Sequence, residues 1–129
     1  MVSIAPMRLS AVRLFVRELE PAARFYDAVL GLPRTAGDLA WGYLVFDAGS
    51  VELVVEAVAA DAPGEDQVLV GRFTGVSFEV DDIVARHACL RDQGVEFIGA
   101  PELQPWGGVL ATFLDPAGNG LQLVQRPHG

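Results

Sequence analysis

The chain has no lysine, two histidines and a single cysteine in 129 residues. Each scarcity excludes something. One cysteine, Cys89, excludes an internal disulfide, and its helical surroundings "IVARHACLRDQG" predict a small packed thiol rather than a nucleophile. His87 lies in that same helical segment and is expected to be partly exposed, while His128 falls in the terminal "RPHG" and reads as a frayed tail. No Ser-His-Asp or Cys-His arrangement follows from those positions. Without lysine, nine arginines face seventeen Asp and Glu, for a net charge of −8. Such a balance argues against a nucleic-acid partner, whose affinity comes largely from phosphate neutralisation. It favours a cationic ligand by long-range attraction, or serves only solubility. No apolar run approaches the ~20 residues that span a bilayer, so no membrane partner is expected. The opening "MVSIAPMRLS" lacks the apolar core of a secretory signal, which makes the cytoplasm the expected location.

What is present is a soluble, globular composition, 51% hydrophobic and 20% charged, in a length that suits one domain with a real core. The chain reads as two similar halves, about 8–58 and 72–127, joined by a segment over about 59–71 that is rich in Ala, Asp, Pro and Gly. In "RLSAVRLFV" (8–16), Val12, Leu14 and Val16 alternate with Arg13, Phe15 and Arg17, as in a half-buried strand. In "EPAARFYDAVLG", Pro21 suits a first helical turn, and Ala22, Phe25, Tyr26 and Val29 recur at helical spacing up to Gly31. A short extended piece at 32–35 follows, and "DAGS" (47–50) turns one strand back on the next. The second half repeats this order: strand 73–80 with Val76, Phe78 and Val80 on one face, a helix that Asp81 or Asp82 caps and Gly94 ends, a strand in "VEFIG", and a hairpin through "DPAGNG". Trp41-Gly42 opens the first hairpin and Trp106-Gly107 the second.

The segments "VRLFVRELEPAARFYDAVLGL" and "FLDPAGNGLQLVQ" make the chain resemble the vicinal oxygen chelate superfamily, which includes glyoxalase I, extradiol dioxygenases and bleomycin-resistance proteins. The resemblance implies an α+β fold of two βαβββ modules in one chain, forming incomplete barrels around a cavity, and a homodimer that completes the sites. Metal ligands in such enzymes come from the first and last strands of each half. The matching positions here are Ala11, Glu52, Gly75 and Gln122. Alanine and glycine offer no side-chain donor, so the expectation is a protein without metal or other cofactor.

The superfamily's metal-free branch resembles bleomycin-resistance proteins, which sequester a drug without chemistry. By that resemblance Trp106 stacks on planar parts of a ligand and Trp41 is a second aromatic wall. Thr35 and Ala36 stand where the family has an acidic residue and an aromatic, which leaves bleomycin itself in doubt. If Leu53, Leu121 and Leu123 face the helices, alternation turns Glu52 and Gln122 into the cavity. Tyr43 and Phe113 complete the expected ligand set, although aromatics on strands are also ordinary core residues. Three functions fit: binding and sequestration of a planar or cationic compound such as an antibiotic; a lyase, isomerase or dioxygenase, with Glu52 or Glu79 as base if metal-free; or a carrier or sensor of a biosynthetic intermediate.

Overall fold

A computed structural model describes residues 4–127, which leaves His128 outside the described residues. The first module runs β1 (Ala11–Val16), α1 (Leu19–Arg24), β2 (Arg34–Asp38), β3 (Tyr43–Asp47) and β4 (Glu52–Ala57). A connecting helical turn, α2 (Gly64–Gln67), leads to β5 (Phe73–Glu79), α3 (Ile83–Asp92), β6 (Glu96–Leu103), β7 (Val109–Leu114) and β8 (Gly120–Gln125). Among the described residues no helix is long and apolar enough to cross a membrane.

The duplication read from the sequence is explicit in the strand order. One sheet runs β1-β4-β3-β2 and the other β5-β8-β7-β6, so each strand has its counterpart at the same place. In each sheet the first and last strands of the module pair in parallel, and the hairpins pair antiparallel. Neither sheet closes into a barrel, as expected for α+β modules of this kind.

Helix boundaries follow from their local chemistry. Pro21 sits in the first turn of α1, where no backbone N–H is needed. α1 continues into one wider turn, Phe25–Val29, closed by the Leu30 amide on the Phe25 carbonyl at 2.9 Å. Asp82 caps α3 by accepting from the Ala85 amide at 3.1 Å. Gly94 ends α3 at φ +92°, with the Val95 amide returning to the Leu90 carbonyl at 3.0 Å, and Leu90 and Val95 are both buried.

Alternation sorts the strands into two faces. Leu14, Val16, Leu44, Phe46, Leu53 and Val55 bury one face of the first sheet, and Ala111, Phe113, Leu121 and Leu123 bury one face of the second. These surfaces join α1 and α3 in a single core, and the Phe25 ring meets Phe113 at 6.2 Å across the two modules. Each fully buried large side chain stabilises the fold by about 1.5–3 kcal/mol.

The "DPAGN" turn contributes a buried polar lock. Asp115 Oδ1 accepts from the Ala117 and Asn119 amides, each at 2.9 Å, while Oδ2 accepts from the Tyr26 hydroxyl at 2.7 Å and from Asn119 Nδ2 at 3.0 Å. Asn119 Nδ2 also donates to the Phe15 carbonyl at 2.8 Å, and its Oδ1 accepts from the Gly71 amide at 2.9 Å. The last hairpin is thereby tied to β1, to α1 and to the segment between the modules. Burial first, then the Asp115 carboxylate and its hydrogen bond, hold the Tyr26 phenol far above the usual tyrosine range.

Candidate ligand-binding site

The face of the first sheet that turns away from the helices is mostly open within this chain, with Val45 buried in its middle. Strand register writes it in rows: Ala11–Glu52–Asp47 at one end, Arg13–Val54–Val45 in the middle, and Phe15–Glu56–Tyr43 at the other. Beside the last row lies a crevice of about 360 Å³, whose walls include Phe15, Trp41, Tyr43, Arg13, Glu56 and Asp66. Trp41 comes from a 3-10 turn, Leu39–Trp41, fixed at its start by Asp38, whose Oδ1 accepts from the Ala40 amide at 2.8 Å. Its ring stands 6.2 Å from that of Tyr43 at an interplanar angle of 35°, and the residue is 68% exposed. Two aromatic planes open to solvent suit a flat, apolar, polarisable guest.

The charged floor of this crevice is one that the sequence reading missed. Arg13 donates from Nη2 at 2.6 Å and from Nε at 3.1 Å, both to Glu56 Oε2. Its guanidinium carbon lies 5.2 Å from the centre of the Phe15 ring. Glu52, the expected carboxylate, is exposed on the same face but four residues away along β4, about 13 Å at strand rise. It lines a different hollow, with Arg8, Leu9 and Ser10. The signal that finds Glu56 is the hairpin count: the turn after Asp47 pairs it with Glu52, which places Tyr43 opposite Glu56.

The other expected residues are scattered. Gln122 is half-buried on the outer face of the second sheet, beside Ser77 in register, and donates to Thr112 Oγ1 at 3.2 Å. Trp106 is 51% exposed in the loop between β6 and β7, outside the crevice that Trp41 lines. Its ring lies against Gly108, over the place an added Cβ would take. Phe113 faces the other way. It is fully buried on the helix side and contacts Phe97 at a ring distance of 5.6 Å, so it has no surface for a ligand. Phe113 is directly paired with Leu121 and must therefore share the leucine's face.

Two further expectations change. Cys89 is exposed rather than packed, because the buried side of α3 is carried by Ile83 and Leu90, and Gln93 Nε2 approaches its sulfur at 3.4 Å. His87 is half-buried as expected, with its ring 4.3 Å from that of Phe97 behind the second sheet. Glu79, considered as a base, is exposed and accepts from Arg126 Nε at 2.8 Å.

The four positions that would carry a metal do not fit one. Ala11 and Gly75 offer no donor, which leaves one carboxylate and one neutral amide, Glu52 and Gln122, of the four positions. Gly75 also has φ +75° within an irregular stretch of β5, a conformation that strains any residue with a Cβ. Among the described residues, no three His, Cys, Asp or Glu side chains converge.

The family model described as the glyoxalase/bleomycin resistance protein/dioxygenase superfamily matches residues 8–123. The chain belongs to that superfamily. A bleomycin resistance protein of Klebsiella pneumoniae is 29% identical over 117 residues, covering 85% of this chain and 86% of the relative. TnmS3, an antibiotic binding protein from Streptomyces sp. CB03234, superposes with a TM-score of 0.74 at 27% identity, covering 96% of this chain and 99% of its own. A superfamily member from Sphaerobacter thermophilus DSM 20745 gives a TM-score of 0.76 at 24% identity over 94% of this chain and 98% of its own, a likeness of fold alone.

Proposed function

We propose that this protein captures a planar organic molecule, of the kind found among antibiotics, and holds it without chemical change. The observation that carries this reading is the pair of solvent-open aromatic planes, Trp41 and Tyr43, over a crevice of about 360 Å³. The bleomycin resistance protein and antibiotic binding protein among its relatives support the ligand class. The donor-poor positions Ala11 and Gly75 support capture over metal-assisted turnover.

The binding unit we propose is a homodimer. Phe73, Ile98, Leu103 and Trp106 are exposed apolar residues of the second module, while Trp41 and Tyr43 are exposed in the first. A second copy laid across these faces removes that surface from water. Its Trp106 and Gln122 then line the crevice opposite Trp41, with Glu52 farther along the same sheet face.

Intrinsic tryptophan fluorescence of EDTA-treated protein tests the reading. Saturable quenching by a bleomycin-type glycopeptide or another planar antibiotic is expected, with the ligand recovered unmodified and the apparent affinity weakened roughly tenfold in Trp41→Ala. Binding or turnover that appears only when a divalent metal is restored overturns it.

A further inference from the structure

The floor of the crevice already holds a planar cation, and that cation belongs to the protein. Arg13 and Phe15 lie two residues apart on one strand and so point to the same face, which lets the Arg13 guanidinium fold back over the Phe15 ring at 5.2 Å. Register places Glu56 directly between Phe15 and Tyr43, and Glu56 takes both of the guanidinium's hydrogen bonds on one oxygen. A carboxylate flanked on both sides by aromatic rings is the arrangement that binds organic cations, through charge pairing and through the ring faces. Asp66, another wall of the same crevice, adds a second carboxylate.

We propose that this is a cation subsite which Arg13 occupies in the absence of ligand, and that a ligand's own protonated nitrogen displaces Arg13 from Glu56. This assignment rests on the planar-capture reading and names its ligand class: a flat ring system bearing a positive charge. Two features make Arg13 displaceable rather than fixed. Its side chain is 61% accessible against 27% for Glu56, so the carboxylate is built into the floor while the guanidinium swings above it. An accessible ion pair of this kind is weak and is exchanged at little cost. Arg13 then discriminates by charge, because a neutral ring must bind over an intact Arg13–Glu56 pair and a cation replaces the guanidinium. An anionic ligand would require the opposite, with Arg13 as its anchor.

Calorimetric titration at pH 8 with three acridines of one shape separates these cases: 9-aminoacridine as cation, acridine as the neutral ring, and acridine-9-carboxylate as anion. Wild-type protein is expected to prefer the cation. Arg13→Ala tightens 9-aminoacridine by about fivefold, the worth of one accessible ion pair, and leaves acridine within twofold. Glu56→Gln abolishes the preference for the cation and keeps acridine binding. Three results overturn the subsite while leaving planar capture standing: Arg13→Ala leaves 9-aminoacridine unchanged or weaker; it tightens all three ligands equally; or wild type prefers acridine-9-carboxylate and Arg13→Ala loses it. If no acridine binds saturably to wild type or to Arg13→Ala, the planar-capture reading fails and the subsite with it.

Discussion

The Tyr26 hydroxyl donates to Asp115 Oδ2 at 2.7 Å, joining α1 of the first module to the last turn of the second across 89 positions of sequence. Tyr26 is fully buried, and its ring packs edge-on to Phe25 at 5.1 Å. The bond is therefore made in a dry interior, where a phenolate beside a carboxylate is strongly disfavoured.

Tyr26→Phe removes the hydroxyl and keeps the ring. At neutral pH the cost is about 1–2 kcal/mol in denaturant unfolding. The alkaline limb carries the sharper signature. The folded phenol is raised above its unfolded value near 10, so its contribution is complete below pH ~10 and is lost as pH rises further. Wild-type protein should lose stability above that pH faster than Tyr26→Phe, by up to about 1.4 kcal/mol per pH unit. Parallel curves would show that Tyr26 ionises in the fold as freely as in the unfolded chain.

Asn119→Ala strands two backbone groups, the Phe15 carbonyl and the Gly71 amide, that the Asn119 side chain satisfies. Urea unfolding should show a loss of about 2–6 kcal/mol, from two unsatisfied groups at ~1–3 kcal/mol each. Hydrogen exchange should quicken at Gly71 more than at amides of α3. A loss under 0.5 kcal/mol would mean that water replaces these bonds freely.

Phe113→Ala and Trp41→Ala should separate folding from binding. Phe113 is a core ring, and its truncation costs about 3–5 kcal/mol of stability with little change in affinity per folded molecule. Trp41 is a surface ring, and its truncation leaves stability within about 0.5 kcal/mol while weakening a planar ligand roughly tenfold. Paired melting and titration curves check both halves. Unchanged ligand affinity in Trp41→Ala would place the ligand elsewhere.

Gly108→Ala forces the Trp106 ring off its backbone seat, because the new methyl would overlap it. The ring can swing outward, so unfolding free energy should change by less than about 1 kcal/mol. Emission in a Trp41→Phe background, which reports Trp106 alone, should shift to longer wavelength as the indole enters water. An unshifted spectrum would mean that Trp106 leaves Gly108 in solution already.

The architecture was legible because its signals are local: alternation in 8–16 and 73–80, helical spacing from Ala22 to Val29, and turn residues that repeat between the halves. The site was legible only in part. Hairpin spacing is enough to bring Trp41 and Tyr43 to one crevice, but metal-ligand alignment points to Glu52 and not to Glu56, which the hairpin register places opposite Tyr43. A cavity role for Phe113 is incompatible with a core role for Leu121, because the two are paired and cannot part. Asp115 and Asn119 read as turn residues. Their buried role depends on Phe15, Tyr26 and Gly71, which lie 48 to 104 positions from the side chains they bond and leave no local mark.

Asn119 reaches back to the carbonyl of Phe15 from near the carboxyl end. A ribosome releases the amino end first, so every strand of the first module emerges long before the side chain that seals it. Until residue 119 arrives, the Phe15 carbonyl has only water for that bond, and the first module waits in an unfinished state. A chain cut before Asp115 would keep all of that module's strands and still lack its fastening. The two halves repeat one another in strand order, yet the first is fastened only by the second.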